Sequence, residues 1–185
     1  MKVKGTSLKT TRDFVRAKFP NDYKNWLNSL SPNSKKYYDS IVDVATWYPI
    51  KEAYLDPIDK IAELFYNKNY AKCGEDMGEY SADIALKGIY KVFVMVAKPN
   101  FLVKRASKII ETYYRPSEVN VVELDSKSAF IDIIVFSEMT LALEYRFAGW
   151  CKKALEFTNC KNIRYSIKSF LSKGDKSTKI TFMWD

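Results

Sequence analysis

The last third of the chain alternates apolar and polar residues in the way that β-strands do. Over residues 163–171 the odd positions are mostly apolar and the even positions mostly polar, and Ile180, Phe182 and Trp184 share one face of the closing segment. A period of two places one face of a strand on a core and the other toward solvent. Because a glycine-containing loop, 172–177, joins the two segments, we predict a β-hairpin.

A second predicted hairpin precedes it over residues 119–136, and its later strand is apolar on both faces except at Asp132, which places that strand inside the sheet. Between the hairpins we predict a helix over 139–157 with Ser137 as its N-cap. Its apolar residues recur at steps of three and four and form one stripe: Leu143, Phe147, Trp150, Ala154 and Phe157. Gly149 in this helix indicates close packing, which we expect to be against the sheet.

The first two-thirds of the chain is predicted to be helical, because apolar residues recur at helical steps and prolines mark several helix starts. One predicted helix covers 7–19. Another, over 80–97, is apolar nearly all round and would be the buried central helix, with Ile84 on its inner face. Pro99 opens the next helix. The segment Trp47-Tyr48-Pro49-Ile50 interrupts the helical pattern and should be extended.

No repeat, low-complexity tract or linker divides the 185 residues, a length that suits one domain. We therefore predict a single α+β domain over 1–185, with an N-terminal helical bundle in 1–115 and a strand-strand-helix-strand-strand antiparallel sheet in 118–185. A hydrophobic content of 47% excludes a disordered chain. No apolar run approaches the ~20 residues of a membrane span.

The cysteines and the N-terminus bear on the compartment. Cys73, Cys151 and Cys160 are irregularly spaced, so they indicate neither a disulfide framework nor a structural zinc site. The N-terminal residues are charged and lack the apolar stretch of a secretory signal. A reducing cytoplasm fits these features best.

The net charge of +8 raises the possibility of a nucleic-acid-binding basic domain. The excess is nearly all lysine and is spread along the chain, whereas arginine, which suits bidentate phosphate and base contacts, is scarce. A solvated basic surface is therefore the favoured interpretation, and nucleic-acid binding is an alternative.

The chain contains no histidine, which removes the commonest general base and metal ligand. An enzyme would have to use carboxylates, and the candidates are Asp132 and the cluster Glu75, Asp76 and Glu79. We expect a structural role for Asp132, with Arg146 or Arg164 as its partner, and a solvated helix face for the cluster.

Several short motifs together resemble a known pattern: an early glycine, an aromatic-proline break, a proline-opened helix, a tyrosine-rich segment, a late helical glycine and a tryptophan-ended strand. Here these are Gly5, Trp47-Tyr48-Pro49-Ile50, Pro99, Thr112-Tyr113-Tyr114-Arg115, Gly149 and Phe182-Met183-Trp184. The layout resembles the superfamily of haem-based nitric-oxide sensors, four-vinyl-reductase domains and TRAPP vesicle-tethering subunits. More narrowly, the chain resembles a family of uncharacterised bacterial proteins, largely from myxobacteria and other deltaproteobacteria.

The resemblance also shows what this chain lacks. Haem sensors ligate iron through a helical histidine, and four-vinyl-reductase-like domains often carry a cysteine cluster; this sequence has neither. We therefore expect no cofactor and no bound metal. Some TRAPP subunits hold an acyl chain on a buried cysteine, and Cys73 is the nearest analogue by position. A small buried hydrophobe is the favoured interpretation of that residue.

Two classes of function stay open. The favoured one is a non-catalytic module, a sensor or scaffold, that binds a hydrophobic small molecule, a lipid or a protein partner between helices and sheet. The other is an enzyme that uses a buried carboxylate such as Asp132. The candidate pocket residues are aromatic: Trp47, Phe93, Phe147, Trp150 and Phe157. A filled core is the alternative interpretation of these residues.

A homodimer is expected because proteins of this superfamily commonly associate through helical surfaces. Six tyrosines of the first helical region are predicted to add aromatic surface for such a contact: Tyr37, Tyr38, Tyr48, Tyr54, Tyr66 and Tyr70.

Overall fold

A computed structural model describes residues 1–87, 99–158 and 160–185. The helices of these ranges are α1 (Gly5–Lys18), α2 (Tyr23–Ser29), α3 (Pro32–Lys35), α4 (Asp56–Phe65), α5 (Tyr70–Leu86), α6 (Pro99–Tyr113) and α7 (Leu141–Glu156). The strands are β1 (Lys2–Lys4), β2 (Trp47–Pro49), β3 (Tyr114–Arg115), β4 (Glu118–Asp125), β5 (Ser128–Val135), β6 (Arg164–Ser169) and β7 (Thr178–Met183). Short 3-10 turns lie at Pro20–Asp22 and Leu171–Lys173, and a π-helical turn, Lys51–Leu55, runs into α4.

The larger sheet is four-stranded and antiparallel, in the order β4-β5-β7-β6. Two hairpins separated by α7 build it, which confirms the predicted α+β architecture. β5 lies inside the sheet, and Ile180, Phe182 and Trp184 are all buried on one face, as their alternation predicts. The sheet therefore provides one wall of the core against which helices pack.

A second, three-stranded sheet was not predicted. Its order is β2-β1-β3, and it pairs Lys2 with both Pro49 and Arg115. Strands of two or three residues are too short to show an alternation pattern, and here they join segments far apart in sequence. The aromatic-proline break at Tyr48 is extended, as predicted, because it forms β2.

Three glycines bring α5 and α7 into backbone contact, and we call Gly74, Gly78 and Gly149 the glycine seam. A Cβ placed on them would stand 2.0, 2.2 and 2.4 Å from the carbonyl oxygens of Ala142, Arg146 and Glu75, respectively. Such separations leave no room for any side chain. Gly149 thus packs against a helix, and the expected contact with the sheet is wrong.

Two helix boundaries differ from the predicted ones. α7 begins two residues late, and Thr140, not Ser137, caps it by accepting a hydrogen bond from the Leu143 amide at 3.4 Å. The predicted helix over 80–97 is also wrong at its start and at Ile84, which is 53% exposed. α5 starts at Tyr70 and ends before Lys87, whose backbone is extended. The rest of that predicted helix, including Phe93, lies outside the described residues.

Most buried residues of the described helices and sheets form one contiguous core, and Ala154 of α7 lies in a small separate cluster. The six tyrosines predicted to provide surface contribute to the contiguous core: Tyr38 and Tyr54 are buried, and Tyr37, Tyr48, Tyr66 and Tyr70 are partly buried against it. Two of the six rings therefore belong to the core, and the other four keep part of their surface exposed. Among the described helices, none has the length and apolar character needed to cross a membrane.

Candidate functional site

A cavity of about 90 Å³ lies between α1, α5, α6 and α7. One side is lined by hydroxyl-bearing residues, Thr6, Ser7, Thr10 and Ser81, and another by apolar ones, Ala85, Ile109, Ile110, Phe147 and Trp150. Tyr113, Tyr114, Arg146 and Cys151 complete the lining. The lining residues of α7 are Arg146, Phe147, Trp150 and Cys151, and their spacing places them on one face of the helix. That face supplies the cavity with a cation, a thiol and two aromatic rings.

Arg146 is the charged residue of this lining. It is only 6% exposed, and its Nη1 atom is buried and makes no hydrogen bond. Its guanidinium lies 5.4 Å from the ring centroid of Tyr54. Within the described ranges no carboxylate forms an ion pair with it, since the ion pairs there join other residues. The side chain is thus a buried cation held mainly by an aromatic face.

The hydroxyl groups around the cavity differ in how far they are engaged. Thr6, Thr10 and Ser81 donate their hydroxyl protons to backbone carbonyls. The hydroxyls of Tyr54 and Tyr114 share one hydrogen bond of 2.8 Å. Burial raises the pKa of Tyr54 well above its usual value, while the Arg146 charge opposes that rise. The Tyr54 phenol is therefore neutral, and one shared hydrogen bond holds its hydroxyl to that of Tyr114.

The haem that the resemblance implies does not fit the residues described around this cavity. A volume of about 90 Å³ is far below the roughly 300–1,000 Å³ of sites for drug-sized ligands. The sequence has no histidine. Cys151 lines the cavity, and burial raises its pKa to about 12, which opposes the deprotonation that iron ligation requires. The glycine seam also holds α5 against α7, which leaves no slot between these helices.

A second, open cleft of about 690 Å³ lies beside the small sheet, lined by Met1, Lys2, Glu111, Tyr114, Arg115, Pro116 and Ser117. Several of its polar groups already have partners. The Arg115 guanidinium lies 4.4 Å from the Trp47 ring centroid, and Glu111 accepts a hydrogen bond from Lys108 at 3.0 Å. The only phenol of its lining, Tyr114, is held by Tyr54.

The structure separates the predicted pocket residues. Phe147 and Trp150 line the cavity. Trp47 lies in β2 at the small sheet, and Phe157 follows the end of α7 beside Lys153. Phe93 lies outside the described residues. The pocket therefore combines two predicted aromatic residues with polar ones that the sequence pattern did not indicate.

Cys73 is buried in α5 and is not part of the cavity lining. Its Sγ atom lies 3.8 Å from the Met77 sulfur. Burial raises the pKa of the Cys73 thiol to about 12, so it lacks the thiolate that acylation requires. The structure places this residue as a small buried hydrophobe.

The predicted partner of Asp132 is wrong. Its Oδ2 lies 4.0 Å from the Lys179 ammonium, which faces it across the β5–β7 pair, and neither Arg146 nor Arg164 reaches it. Its Oδ1 atom is buried without a hydrogen bond. The register between β5 and β7 places Asp132 opposite Lys179. The sequences of α7 and β6, which carry Arg146 and Arg164, do not determine that register.

The acidic cluster is not the solvated face that the sequence predicts. Glu75 and Glu79 both accept hydrogen bonds from Lys152 of α7, at 3.1 and 2.9 Å. Asp76 is held by Lys72 at 2.7 Å and by the Tyr66 hydroxyl at 3.1 Å. Because the glycine seam brings α5 against α7, Glu75 and Glu79 pair across it, whereas both partners of Asp76 lie outside α7. Over the described residues no group of acidic or cysteine side chains is arranged to hold a metal ion.

Glu144 is a fully buried carboxylate that the sequence reasoning missed. It accepts hydrogen bonds from the Ser172 amide at 3.2 Å, from the Thr178 hydroxyl at 2.6 Å and from the Ser172 hydroxyl. These bonds tie α7 to the β6–β7 connection. The signal was available, since Glu144 and Arg146 are the two charged residues in the otherwise apolar run 141–150.

Comparisons with known proteins establish the fold. No family model matches the sequence, and neither does any curated protein. Solved structures match over nearly the whole length. An H-NOX protein from K. algicida, in the Fe(II) unliganded state, is 13% identical and has a TM-score of 0.72, covering 98% of this chain and 96% of its own. One from S. oneidensis, in the Fe(II)NO state, is 15% identical with a TM-score of 0.74, covering 98% and 99%.

At these identities the similarity concerns the fold alone. The chain has the α+β fold of H-NOX proteins, which confirms the predicted resemblance to haem-based nitric-oxide sensors. The narrower resemblance to a myxobacterial family stays a prediction.

Proposed function

We propose that this chain is a non-catalytic sensor or interaction module that binds a small molecule other than haem in the cavity between α1, α5, α6 and α7. The observation that carries this proposal is the cavity itself, which has an apolar wall, unengaged polar groups and a buried arginine. Ligand sites are typically concave and mostly apolar, with a few polar groups that orient the ligand.

The size of the cavity restricts the class of ligand. A cavity of roughly 150 Å³ admits benzene, and this one has about 90 Å³. A molecule of a few non-hydrogen atoms fits, whereas a lipid chain does not. The hydrophobic ligand that the aromatic residues predict must therefore be a small molecule.

The position of α7 supports a sensing role. One face of this helix lines the cavity through Arg146, Phe147 and Trp150, while Glu144 binds the loop between β6 and β7. A ligand that shifts α7 would therefore act on the sheet through hydrogen bonds that already exist. Such a coupling requires the ligand to bind the two positions of α7 with different affinity.

The carboxylates support a non-catalytic role. Glu75 and Glu79 bind Lys152, Glu144 binds Ser172 and Thr178, and Asp132 lies in the sheet. A general acid or base must reach its substrate with a suitable pKa and geometry. Among the described carboxylates, none is in the lining of the cavity. An enzyme that uses Asp132 is therefore the weaker alternative.

A variant whose cavity entrance is blocked tests the proposal. Native mass spectrometry of the purified chain would first identify any retained small molecule, and thermal shifts would then be recorded with a panel of small neutral and charged compounds. Ala85 is exposed and lines the cavity, so Ala85→Trp should block access and abolish the shifts. Ile84→Trp is the matched control. Ile84 is next to Ala85 in the sequence, but its side chain is exposed and is not part of the cavity lining. Equal shifts in both variants would contradict binding in this cavity.

The homodimer stays a prediction that rests on the resemblance, because two of the six tyrosines invoked for it are buried in the core and the other four are partly buried against it. Sedimentation equilibrium at ~0.15 M salt, where surface charges are screened, measures it directly. A purely monomeric species at micromolar concentration would contradict it.

A further inference from the structure

Arg146 is a buried cation for which the described residues supply no anion. The side chain is 6% exposed, its Nη1 atom makes no hydrogen bond, and no described carboxylate forms an ion pair with it. The Tyr54 ring, 5.4 Å from the guanidinium, is a neutral partner. The other charged residue of the same apolar run, Glu144, has its hydrogen-bonding capacity met by three donors.

An unpaired buried arginine requires an explanation, because a guanidinium keeps its charge when it is buried. A guanidinium does not deprotonate in proteins, so burial cannot neutralise it as it would a lysine. Removing a charge from water is costly unless the charge is paired and hydrogen-bonded, and an aromatic face offsets only part of that cost. Arg146 is one of the residues that line the cavity, so an anion bound in the cavity would lie beside this side chain.

The other residues of the cavity lining indicate which chemical groups that anion contains. No hydrogen bond engages the hydroxyls of Ser7 and Tyr113 in the described part of the chain, so both can donate to an oxygen. Phe147 and Trp150 form an apolar surface that an inorganic ion would leave unused. A guanidinium fork matches the two oxygens of a carboxylate.

We propose that the cavity binds a small monocarboxylate, with its carboxylate at Arg146 and its short alkyl part against Phe147 and Trp150. This inference rests on the proposed function and names the ligand class of the same site. The volume of about 90 Å³ favours acids of two to four carbons, a range bounded by the roughly 150 Å³ that benzene requires.

The test uses the dialysed full-length chain and isothermal titration calorimetry with propionate, its neutral isostere propionamide, and inorganic phosphate. We expect propionate to bind at least about tenfold more tightly than propionamide or phosphate, as a charge-assisted bidentate contact implies. Arg146→Met, which keeps the length and apolar stem, should lose that preference, whereas Ala85→Trp should block every probe. Chain unfolding of each variant is followed by circular dichroism.

Each outcome has a distinct meaning. Equal affinity for propionate and propionamide would overturn the carboxylate inference and leave the proposed function in place. Phosphate binding as tightly as propionate would also overturn it, in favour of an inorganic anion. If no compound binds, charged or neutral, both the inference and the proposed function fail. Should Arg146→Met not fold, the comparison of propionate with propionamide on the unaltered chain decides the question.

Discussion

Gly78 of α5 lies directly on the backbone of Arg146 in α7: a Cβ on the glycine would stand 2.2 Å from the Arg146 carbonyl oxygen. Arg146, which carries the buried cation of the cavity, is therefore held in place by the contact between its backbone and Gly78. Because the contact involves a carbonyl group and not a flexible side chain, neither helix can yield locally. The glycine seam thus holds the cation at the cavity.

The first prediction concerns this contact. Gly78→Ala should lower the free energy of unfolding by about 3 kcal/mol, although alanine favours helices, because the new methyl group overpacks a backbone contact. Urea unfolding followed by circular dichroism measures the change. Ala71→Gly, in the same helix, is the control and should lose only about 1 kcal/mol from helix propensity. A Gly78→Ala variant as stable as the parent would show that the two helices can separate.

A second prediction concerns the buried carboxylate of α7. Glu144→Gln should lower the free energy of unfolding by about 2 kcal/mol, because an NH2 group replaces the oxygen that accepts from the Ser172 hydroxyl and the bonds from the Ser172 amide and the Thr178 hydroxyl lose their charged acceptor. Chemical denaturation gives the value. Glu156→Gln is the same change at the exposed end of the same helix, where the expected effect is within about 0.5 kcal/mol. Equal effects at the two positions would contradict a structural role for Glu144.

These residues show what the sequence could and could not predict. The four-stranded sheet was predictable, because Ile180, Phe182 and Trp184 alternate over a strand long enough to show a period. The small sheet was not, since β3 has two residues. Burial of Glu144 was readable from its apolar neighbours, but its partners lie 28 and 34 residues away along the chain.

The cavity was harder to predict than the fold. Its aromatic residues on α7 follow from the helical stripe, so Phe147 and Trp150 were found. Either Arg146 or Arg164 was expected to pair with Asp132, and neither does. Whether Arg146 meets Asp132 depends on how α7 crosses the sheet, and that depends on the contact of Gly149 with Glu75. Single-sequence patterns carry no information on such distant contacts.

The third prediction tests Asp132. Asp132→Val should raise the free energy of unfolding by about 1 kcal/mol, because it removes a buried oxygen without a partner and adds a residue that favours strands. The ion pair lost with Lys179 is 4.0 Å long and half-exposed, so it offsets little. Thermal and urea unfolding measure the difference. Lys179→Met isolates the ion pair and should change the stability by less than about 0.5 kcal/mol. A marked loss in both variants would show that the pair matters.

A fourth prediction concerns pH. Burial, with the negative charges of Asp56 and Glu63, raises the pKa of Asp59 to about 6 from its usual 3.8. The folded chain therefore holds this proton more tightly than the unfolded chain does, so the associated stability is complete below about pH 3.8 and is lost as the pH rises through about 6. Asp59→Asn should remove this dependence. Relative to the parent, the variant should gain about 1 kcal/mol between pH 4 and pH 7, after allowance for partial exposure. Parallel stability curves for the two proteins would contradict the shifted pKa.

The last prediction concerns haem. Haem titrated into the purified chain, followed by gel filtration, should leave no stoichiometric Soret band. The sequence offers no histidine, the cavity of about 90 Å³ is far smaller than the roughly 300–1,000 Å³ of sites for drug-sized ligands, and α5 and α7 are in backbone contact at the glycine seam. The H-NOX protein from S. oneidensis, treated in the same way, is the positive control, because its structure is described in the Fe(II)NO ligation state. A retained Soret band in this chain would mean that another donor ligates the iron and that the helices open. Repeating the titration with Cys151→Ser would then identify whether that thiol is the ligand.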